Sequence, residues 1–270
     1  MLSRKSNLVV ILTTFHNELL RISIPALQKL HKNFYLIIFN DNPDTIITKP
    51  FIKKLGYTGD YLIYNSGKGM GALQAKISAV DLINQITKTP DWTLFVDDDD
   101  LLVNADIPTV ADNNFAVIQN SILLKHNLIN LLKVIQDSSD YIIDDENVFL
   151  NKPNVSFTCT LIRTYILMGF AKIVKSISKE IKELEESLEY RVPVDNVLWG
   201  WLNSYVQTFH PDFTTIYRDN VNYISNCIDS SKAKYGKLNQ PLRNAESLYV
   251  KAFKKYNELF NKALSAALRG

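Results

Sequence analysis

Four short apolar runs in the first hundred residues, each followed by polar residues, constrain the fold of this chain most. They span residues 7–12, 34–39, 61–64 and 92–96. The first, second and fourth runs are rich in Val, Ile, Leu and Phe, which indicates strands buried on both faces, and the third indicates a further strand. Segments 17–31 and 71–86, which lie between them, carry apolar residues at helical spacing. Because strands that alternate with helices are joined by right-handed crossovers, the pattern predicts an α/β fold with a doubly wound, mostly parallel sheet flanked by helices.

Each predicted strand ends in polar residues. These are Thr13 and Thr14, Asn40 and Asp41, Asn65, and the aspartates at 97–100. In sheets of this kind the ligand lies outside the carboxyl ends of the strands. We therefore expect these side chains to line a single cleft.

The last of these ends is an unbroken run of four aspartates, Asp97 to Asp100, with apolar residues on both sides. Carboxylates held this close repel one another and raise each other's pKa unless a cation compensates them. Mg²⁺ and Mn²⁺ prefer oxygen ligands, and such a metal suits a diphosphate ligand. A solvated acidic turn is the alternative, but such turns usually lie among polar residues. The pattern favours a metal site.

Composition argues against several other classes of protein. The chain has 270 residues, 46% of them hydrophobic, which suffices for a sizeable core. The net charge of +2 gives no field that would indicate nucleic-acid binding. No run of about 18 apolar residues occurs, so no transmembrane segment is predicted. Cys159 and Cys227 lack metal-ligand spacing and indicate no disulfide framework, which suits a reducing, cytoplasmic compartment.

The second half of the chain has a less regular pattern. The elements predicted there are a strand over 114–119, a weak strand over 156–162, a helix pair or one bent helix over 166–190, and a Trp-rich helix over 197–205. Asp195 follows Pro193 and is a good candidate for the N-cap of the last of these helices.

The segment 245–268 is predicted to be an amphipathic helix. Its apolar stripe consists of Tyr249, Phe253, Tyr256, Phe260 and Leu264. Docking onto the protein's own core is the favoured interpretation, and peripheral contact with a membrane surface or a partner is the alternative. We therefore divide the chain into a domain over 1–225, with halves at about 1–102 and 103–225, and a helical C-terminal extension over 226–270.

Taken in order, four segments resemble the family 2 glycosyltransferases, which are inverting enzymes with the GT-A fold. The matching segments are 9–18, like the family's opening strand; 36–42, like its second strand with a terminal aspartate; 65–71, like its Asn-x-Gly loop; and 94–100, like its Asp-x-Asp-Asp block. Thr13 stands where the family usually has proline, and Phe15 where it has tyrosine. The family's frequent Ala-Arg-Asn is Gly71-Ala72-Leu73 here, so its arginine has no direct counterpart.

The resemblance implies a nucleotide-diphosphate-sugar donor, with a UDP-sugar favoured, and a glycan or other hydroxyl acceptor. It implies Mn²⁺ or Mg²⁺ held by Asp99 and Asp97, although the register within the run leaves Asp98 as an alternative. The donor-binding residues that it implies are Thr13, Thr14, Phe15, Glu18, Asp41, Gly67, Lys68, Asp97 and Asp98. Lys68 is either a phosphate contact or an exposed loop lysine.

An inverting transfer needs a carboxylate that deprotonates the acceptor hydroxyl. The family places this base in a short acidic motif at the start of a late helix, which corresponds to Asp195, with Val194 in place of the usual Glu. The reserve candidates are Asp144, Asp145 and Glu146. His210 is either an additional metal ligand or a turn residue, and Trp199 and Trp201 either stack on an acceptor sugar or belong to the core.

Two other functions remain open. A nucleotidyltransferase also uses aspartates and a metal on a doubly wound sheet, but it would need a Gly-rich loop with Lys or Arg after the first strand. Residues 13–18 contain neither glycine nor a basic side chain other than histidine. A non-catalytic sugar-binding or partner-binding relative is the second alternative, and the abundance of acids argues against it.

Overall fold

A computed structural model of the protein describes residues 7–124, 148–151, 156–188, 193–225 and 242–269, so Cys227 and the reserve acids Asp144, Asp145 and Glu146 lie outside it. The strands are β1 (Leu8–Thr14), β2 (Tyr35–Asn40), β3 (Tyr61–Asn65), β4 (Trp92–Asp97), β5 (Leu101–Leu102), β6 (Asn114–Leu124), β7 (Val148–Asn151), β8 (Leu161–Arg163) and β9 (Thr214–Ser225). The helices are α1 (Leu20–Leu30), α2 (Lys49–Lys54), α3 (Ala72–Ala79), α4 (Thr164–Ser176), α5 (Ser178–Ser187), α6 (Val194–Phe209) and α7 (Leu242–Ala267).

The described strands form one sheet in the order β3-β2-β1-β4-β8-β6-β9-β5, with β7 beside β6. The first four are parallel neighbours, which confirms the predicted α/β fold. β8 runs antiparallel to β4, so the sheet is mixed beyond that strand. β2 and β3 lie on one side of β1, and β4 lies on its other side. The winding direction therefore reverses between β1 and β4. Such a switch point is where α/β sheets bind ligands.

Helices cover both faces of the sheet, so β1 is buried on both sides. Val9 and Ile11 enter a core shared with α3, α4, α6 and α7. Leu8, Val10 and Leu12 face the opposite way and pack in a core with α1 and α2. This alternation is the period-2 geometry of a strand, and it explains why the first run is apolar throughout.

The C-terminal helix α7 packs against the rest of the protein, as the favoured interpretation of its apolar stripe predicts. The ring of Phe260 stacks on Trp201 of α6 with ring centroids 4.8 Å apart, and Tyr256 and Leu264 are also buried. Trp201 is therefore a core residue and not a sugar-stacking platform. The boundary at residue 226 stays a prediction. In the part of the chain that the structure describes, every helix is too short or too polar to cross a bilayer.

The structure departs from the sequence predictions in one helix of the first half and, more strongly, in the second half. The helix expected over 71–86 is α3 followed by a 3₁₀ segment, Val80–Gln85. The strand expected over 156–162 is wrong for most of its length, because residues 156–160 form a turn and β8 starts only at Leu161. The helix pair expected over 166–190 is confirmed, with a break at Ile177. The long strand β9 was not predicted.

Candidate functional site

The polar strand ends converge at the switch point, as the sequence predicts. Thr13 at the end of β1 pairs with Asp97 at the end of β4. The Asn40 side chain at the end of β2 donates to the side-chain oxygen of Asn65, at the end of β3, over 2.9 Å. The carboxyl ends of the four parallel strands therefore form one polar edge.

The four aspartates occupy the turn from β4 into β5. The N–H group of Asp100 donates to the carbonyl oxygen of Asp97 at 3.2 Å, which closes the turn. Each carboxylate nevertheless has its own set of neighbours. The acid run is therefore a set of distinct groups rather than a uniform patch of negative charge.

Asp98 anchors the turn that follows β1. Its Oδ2 atom accepts hydrogen bonds from Thr14 Oγ1 at 2.7 Å, from the N–H of His16 at 3.0 Å and from the N–H of Phe15 at 3.1 Å. Burial raises the pKa of Asp98, and these hydrogen bonds oppose that rise. The carboxylate thus fixes the backbone of this turn, while Phe15 itself is 46% exposed.

Asp100 connects the acid run to β9. It is buried, and its Oδ2 atom accepts a hydrogen bond from the hydroxyl of Tyr223. Burial, and then the charge of Asp100, raise the pKa of Tyr223 well above its ordinary value. The Tyr223 hydroxyl therefore keeps its proton and remains a donor to Asp100.

Asp99 has the most unfavourable electrostatic environment of the run. Burial and the charges of Asp100, Asp97 and Asp98 raise the pKa of Asp99 to about 8. A carboxylate in this situation is stabilised by an added cation, because the cation offsets both the desolvation and the repulsion. Asp99 is accordingly the member of the run that best suits a metal ligand.

Lys76 on α3 is a site residue that the sequence predictions missed. It is only 2% exposed, and its Nζ atom lies 2.8 Å from Asp195 Oδ1 and 2.9 Å from Asp97 Oδ1. Burial lowers the pKa of Lys76, but the charges of Asp195 and Asp97 outweigh that effect and raise it overall. Lys76 is therefore a charged group buried between two carboxylates.

A sequence signal for Lys76 does exist. It lies three residues after Leu73 and four before Val80, both of which are buried. This spacing puts a lysine in the middle of an apolar helical stripe. A charged side chain at such a position needs a buried partner of opposite charge.

Asp195 lies in the first turn of α6, but its predicted N-cap role is wrong. Pro193 holds the N-cap position, and Asp195 is the second residue of the helix. The Asp195 Oδ1 atom accepts hydrogen bonds from Lys76 and, at 2.7 Å, from Thr158 Oγ1. The side chains of Asp195 and Asp97 are 21% and 30% exposed, so both are accessible from solvent.

Asp41 organises the glycine-containing loop that leads into α3. Its Oδ1 atom accepts hydrogen bonds from Ser66 Oγ and from the N–H of Met70, both at 2.9 Å. Its Oδ2 atom accepts from the N–H of Gly71 at 2.8 Å. The loop can turn back on the carboxylate because three of its glycines have φ between 59° and 88°. A contact between Asp41 and a nucleotide base stays a prediction.

His210, the candidate additional metal ligand, lies at the far end of α6 from Asp195, and its metal role stays a prediction. His210 follows the last residue of α6 and packs against the rings of Tyr205 and Phe213, with centroids 5.8 and 5.5 Å away. Asp195 lies at the other end of the same helix, about 22 Å away at 1.5 Å per residue. His210 is therefore a packing residue at the end of α6.

Three other candidates lie at less informative positions. Glu18 is exposed, with an oxygen 3.8 Å from His16 Nδ1, and Lys68 is exposed on the glycine-containing loop. Trp199 stacks on Phe115 with centroids 6.3 Å apart, which is a core contact. Donor contacts by Glu18 and Lys68 stay predictions.

The acid run fits a divalent cation that is bound partly by its substrate. Among the described residues, no three His, Cys, Asp or Glu side chains form a ready-made metal cage. Mg²⁺, however, is usually held by one or two carboxylates together with substrate phosphates and waters. Lys76 supplies one positive charge to Asp195 and to the four aspartates of the run, so the group remains acidic. Asp99 and Asp97 could hold such a cation, which would neutralise a diphosphate.

Comparison with known proteins gives structural similarity without sequence similarity. No protein-family model matches the chain, and no curated protein is similar to it in sequence. Among solved structures, S. aureus TarS 1-349 is similar over 93% of this chain and 82% of its own, at 12% identity and a TM-score of 0.49.

Two further solved structures contain ligands. S. aureus TarS 1-349 in complex with UDP is similar over 91% of this chain and 70% of its own, at 14% identity and a TM-score of 0.47. The mannosyltransferase PcManGT from Pyrobaculum calidifontis, in complex with GDP-Man and Mn²⁺, is similar over 99% of this chain and 76% of its own, at 11% identity and a TM-score of 0.43.

Proposed function

We propose that the protein is a glycosyltransferase that moves a sugar from a nucleotide-diphosphate-sugar to an acceptor hydroxyl. The observation that carries this proposal is the pair of carboxylates around Lys76. Asp97 belongs to the ligand-binding edge of the sheet, and Asp195 reaches the same ammonium from α6. A transfer between two substrates needs these two kinds of acid side by side, one for the donor and one for the acceptor.

On the donor side, Asp99 and Asp97 would hold Mn²⁺ or Mg²⁺, and such a cation would supply charge neutralisation for the leaving diphosphate. The turn formed by Thr13, Thr14 and Phe15 offers an exposed aromatic ring and a rigid backbone to the nucleoside. The remaining donor contacts in this proposal come from Glu18, Asp41, Gly67, Lys68 and Asp98. A UDP-sugar is the favoured donor.

On the acceptor side, Asp195 is the general base. Its carboxylate takes the proton from the acceptor hydroxyl as the oxygen attacks the anomeric carbon, while the bond to the diphosphate breaks. A single displacement attacks from the face opposite the leaving group, so the product has inverted anomeric configuration. The resemblance to family 2 glycosyltransferases supports this mechanism.

The test is release of nucleoside diphosphate from a panel of nucleotide-sugars in Mn²⁺, Mg²⁺ or EDTA. We expect metal-dependent release with at least one donor and an inverted product by NMR. Asp195→Asn should lower transfer by roughly 10²–10⁴ with little change in donor affinity. Asp212→Asn is the matched control, because Asp212 is exposed and follows the far end of α6.

Other outcomes would assign a different function. A product of retained configuration would contradict the single displacement. Release of pyrophosphate from a nucleoside triphosphate and a sugar phosphate would indicate a nucleotidyltransferase, and donor binding without turnover would indicate a non-catalytic relative. Near-normal transfer by Asp195→Asn would move the base to Asp144, Asp145 or Glu146.

A further inference from the structure

Two buried side chains hold Asp195 through one of its oxygens. Asp195 Oδ1 accepts hydrogen bonds from Lys76 Nζ at 2.8 Å and from Thr158 Oγ1 at 2.7 Å. Lys76 also donates to Thr158 Oγ1 at 2.6 Å, which closes a triangle of three polar groups. Since Lys76 and Thr158 are only 2% and 3% exposed, neither can easily turn away into water.

The segment that carries Thr158 has a backbone built to hold it in place. The next residue, Cys159, is buried and has φ of 63°, which is uncommon for a residue with a side chain. The N–H of Cys159 donates to the carbonyl oxygen of Phe95 on β4 at 3.0 Å, and its carbonyl oxygen accepts from the side chain of Asn222 on β9, also at 3.0 Å. Two strands of the sheet therefore fix this strained conformation.

We propose that Thr158 and Lys76 are positioning residues for the reaction, and that Lys76 positions a larger part of the site than Thr158 does. Thr158 contacts Asp195 and Lys76 and orients the acceptor side of the site. Lys76 contacts Asp97 as well, so a single ammonium sets the spacing between the donor-side carboxylate and the base. The inference rests on the proposed function, because it assigns supporting roles around the same Asp195.

The two contact sets predict two kinetic signatures. Removing the Thr158 hydroxyl should disturb the orientation of Asp195 and leave the donor site intact, so kcat falls and donor KM does not change. Removing the Lys76 charge should disturb both carboxylates, so kcat falls and donor affinity falls with it. A residue that only supported the fold would not separate these two parameters.

The experiment compares Thr158→Val, Lys76→Met and the control Thr160→Val in the full-length protein. Thr160 lies on the same turn and is equally buried, but its hydroxyl donates to the carbonyl oxygen of Ser156 and not to Asp195. We expect Thr158→Val to lower kcat roughly 10- to 100-fold, the usual cost of a misplaced catalytic group, with donor KM within twofold of wild type. Thr160→Val should keep wild-type kcat at temperatures where it is folded.

Lys76→Met should lower kcat at least as much as Thr158→Val and weaken donor binding, which is measured by calorimetry with the nucleoside diphosphate and Mn²⁺. Equal kcat values for Thr158→Val and Thr160→Val would overturn the role of Thr158. Unchanged donor binding in Lys76→Met would overturn the shared role of Lys76. If Lys76→Met does not fold, the comparison of the two threonine variants still decides whether Thr158 positions Asp195.

A stability measurement separates failure of this inference from failure of the proposed function. If wild type transfers no sugar from any donor, the proposed function fails, but double-mutant cycles in urea still test the shared ammonium. Lys76→Met combined with Asp195→Asn, and separately with Asp97→Asn, should each show coupling of at least fivefold in the unfolding equilibrium. Additive cycles would overturn the shared contact.

Discussion

The acid at the end of β2 and the acid run at the end of β4 occupy equivalent positions and differ in what compensates them. Both Asp41 and Asp99 follow a buried parallel strand at the same edge of the sheet. Asp41 receives three hydrogen bonds from one loop, two of them from backbone N–H groups. Asp99 is surrounded by three other carboxylates, and its pKa is raised to about 8 by burial and by their charges.

The difference separates a carboxylate that is satisfied by hydrogen-bond donors of the protein from one that still favours a cation. Asp41 accepts hydrogen bonds from the loop, so this carboxylate has a structural role in holding the loop together. The crowding around Asp99 is unfavourable for folding, and such groups are frequent at functional sites. Removing the two carboxylates should therefore change stability in opposite directions.

Asp41→Ala should have the largest effect on stability. The substitution leaves the hydroxyl of Ser66 and the N–H groups of Met70 and Gly71 without their acceptor, which should lower the free energy of unfolding by about 2–4 kcal/mol. Urea denaturation measures this change. Asp44→Ala, at an exposed acid on the neighbouring turn, is the control and should stay within about 0.5 kcal/mol of wild type. A similar small loss for Asp41→Ala would show that the loop does not depend on the carboxylate.

Asp99→Asn should have a smaller effect of opposite sign. In EDTA the variant should melt a few degrees above wild type, because it lacks a buried charge that its neighbours repel. The raised pKa sets the pH window: wild type loses stability as pH rises from about 4, the ordinary value for Asp, towards 8, so the advantage of Asn grows across that range and levels off above it.

The same Asp99→Asn variant should lose the stabilisation that Mn²⁺ gives to wild type. Thermal melts at pH 8, with and without Mn²⁺, measure both effects. The opposite result is that wild type and variant melt at the same temperature in EDTA and respond equally to Mn²⁺. That result would contradict the proposed difference between Asp99 and Asp41.

The smallest expected effect lies in the loop that Asp41 holds. Gly69→Ala places a Cβ atom 3.3 Å from Pro43 at a φ of 59°, whereas Gly67→Ala has φ of 64° and open space around the new atom. Both variants should be destabilised by about 1 kcal/mol from the unfavourable φ, and Gly69→Ala by a few tenths more. Indistinguishable urea midpoints for the two would mean that the contact with Pro43 relaxes without cost.

The two halves of the protein also differ in how much of them could be predicted from sequence. The parallel strands β1, β2 and β4 are buried on both faces, and β3 is half-buried. Their apolar composition identifies these strands, and their polar ends predict the cleft. β9 could not be found this way, because it carries many polar residues and pairs with β6 through several register shifts. Its position depends on partners that are distant in sequence.

The same limit applies within the site. The acid run was visible as a local pattern, and Asp195 through a resemblance to a known motif. The contact between Lys76 and Asp195 joins residues 119 positions apart, and no local period contains that information. The sequence can identify Lys76 as a charged residue within an apolar stripe, but it cannot identify the partners of Lys76.

The packing of α7 on α6 has a consequence for the order in which the site is completed. Trp201, six residues after Asp195 on α6, stacks on Phe260 of α7. A ribosome synthesises α6 well before Phe260, so a nascent chain that already contains every proposed site residue still lacks the surface against which α6 packs. The proposed base thus acquires its final support only after Phe260 has been synthesised and α7 can pack on α6.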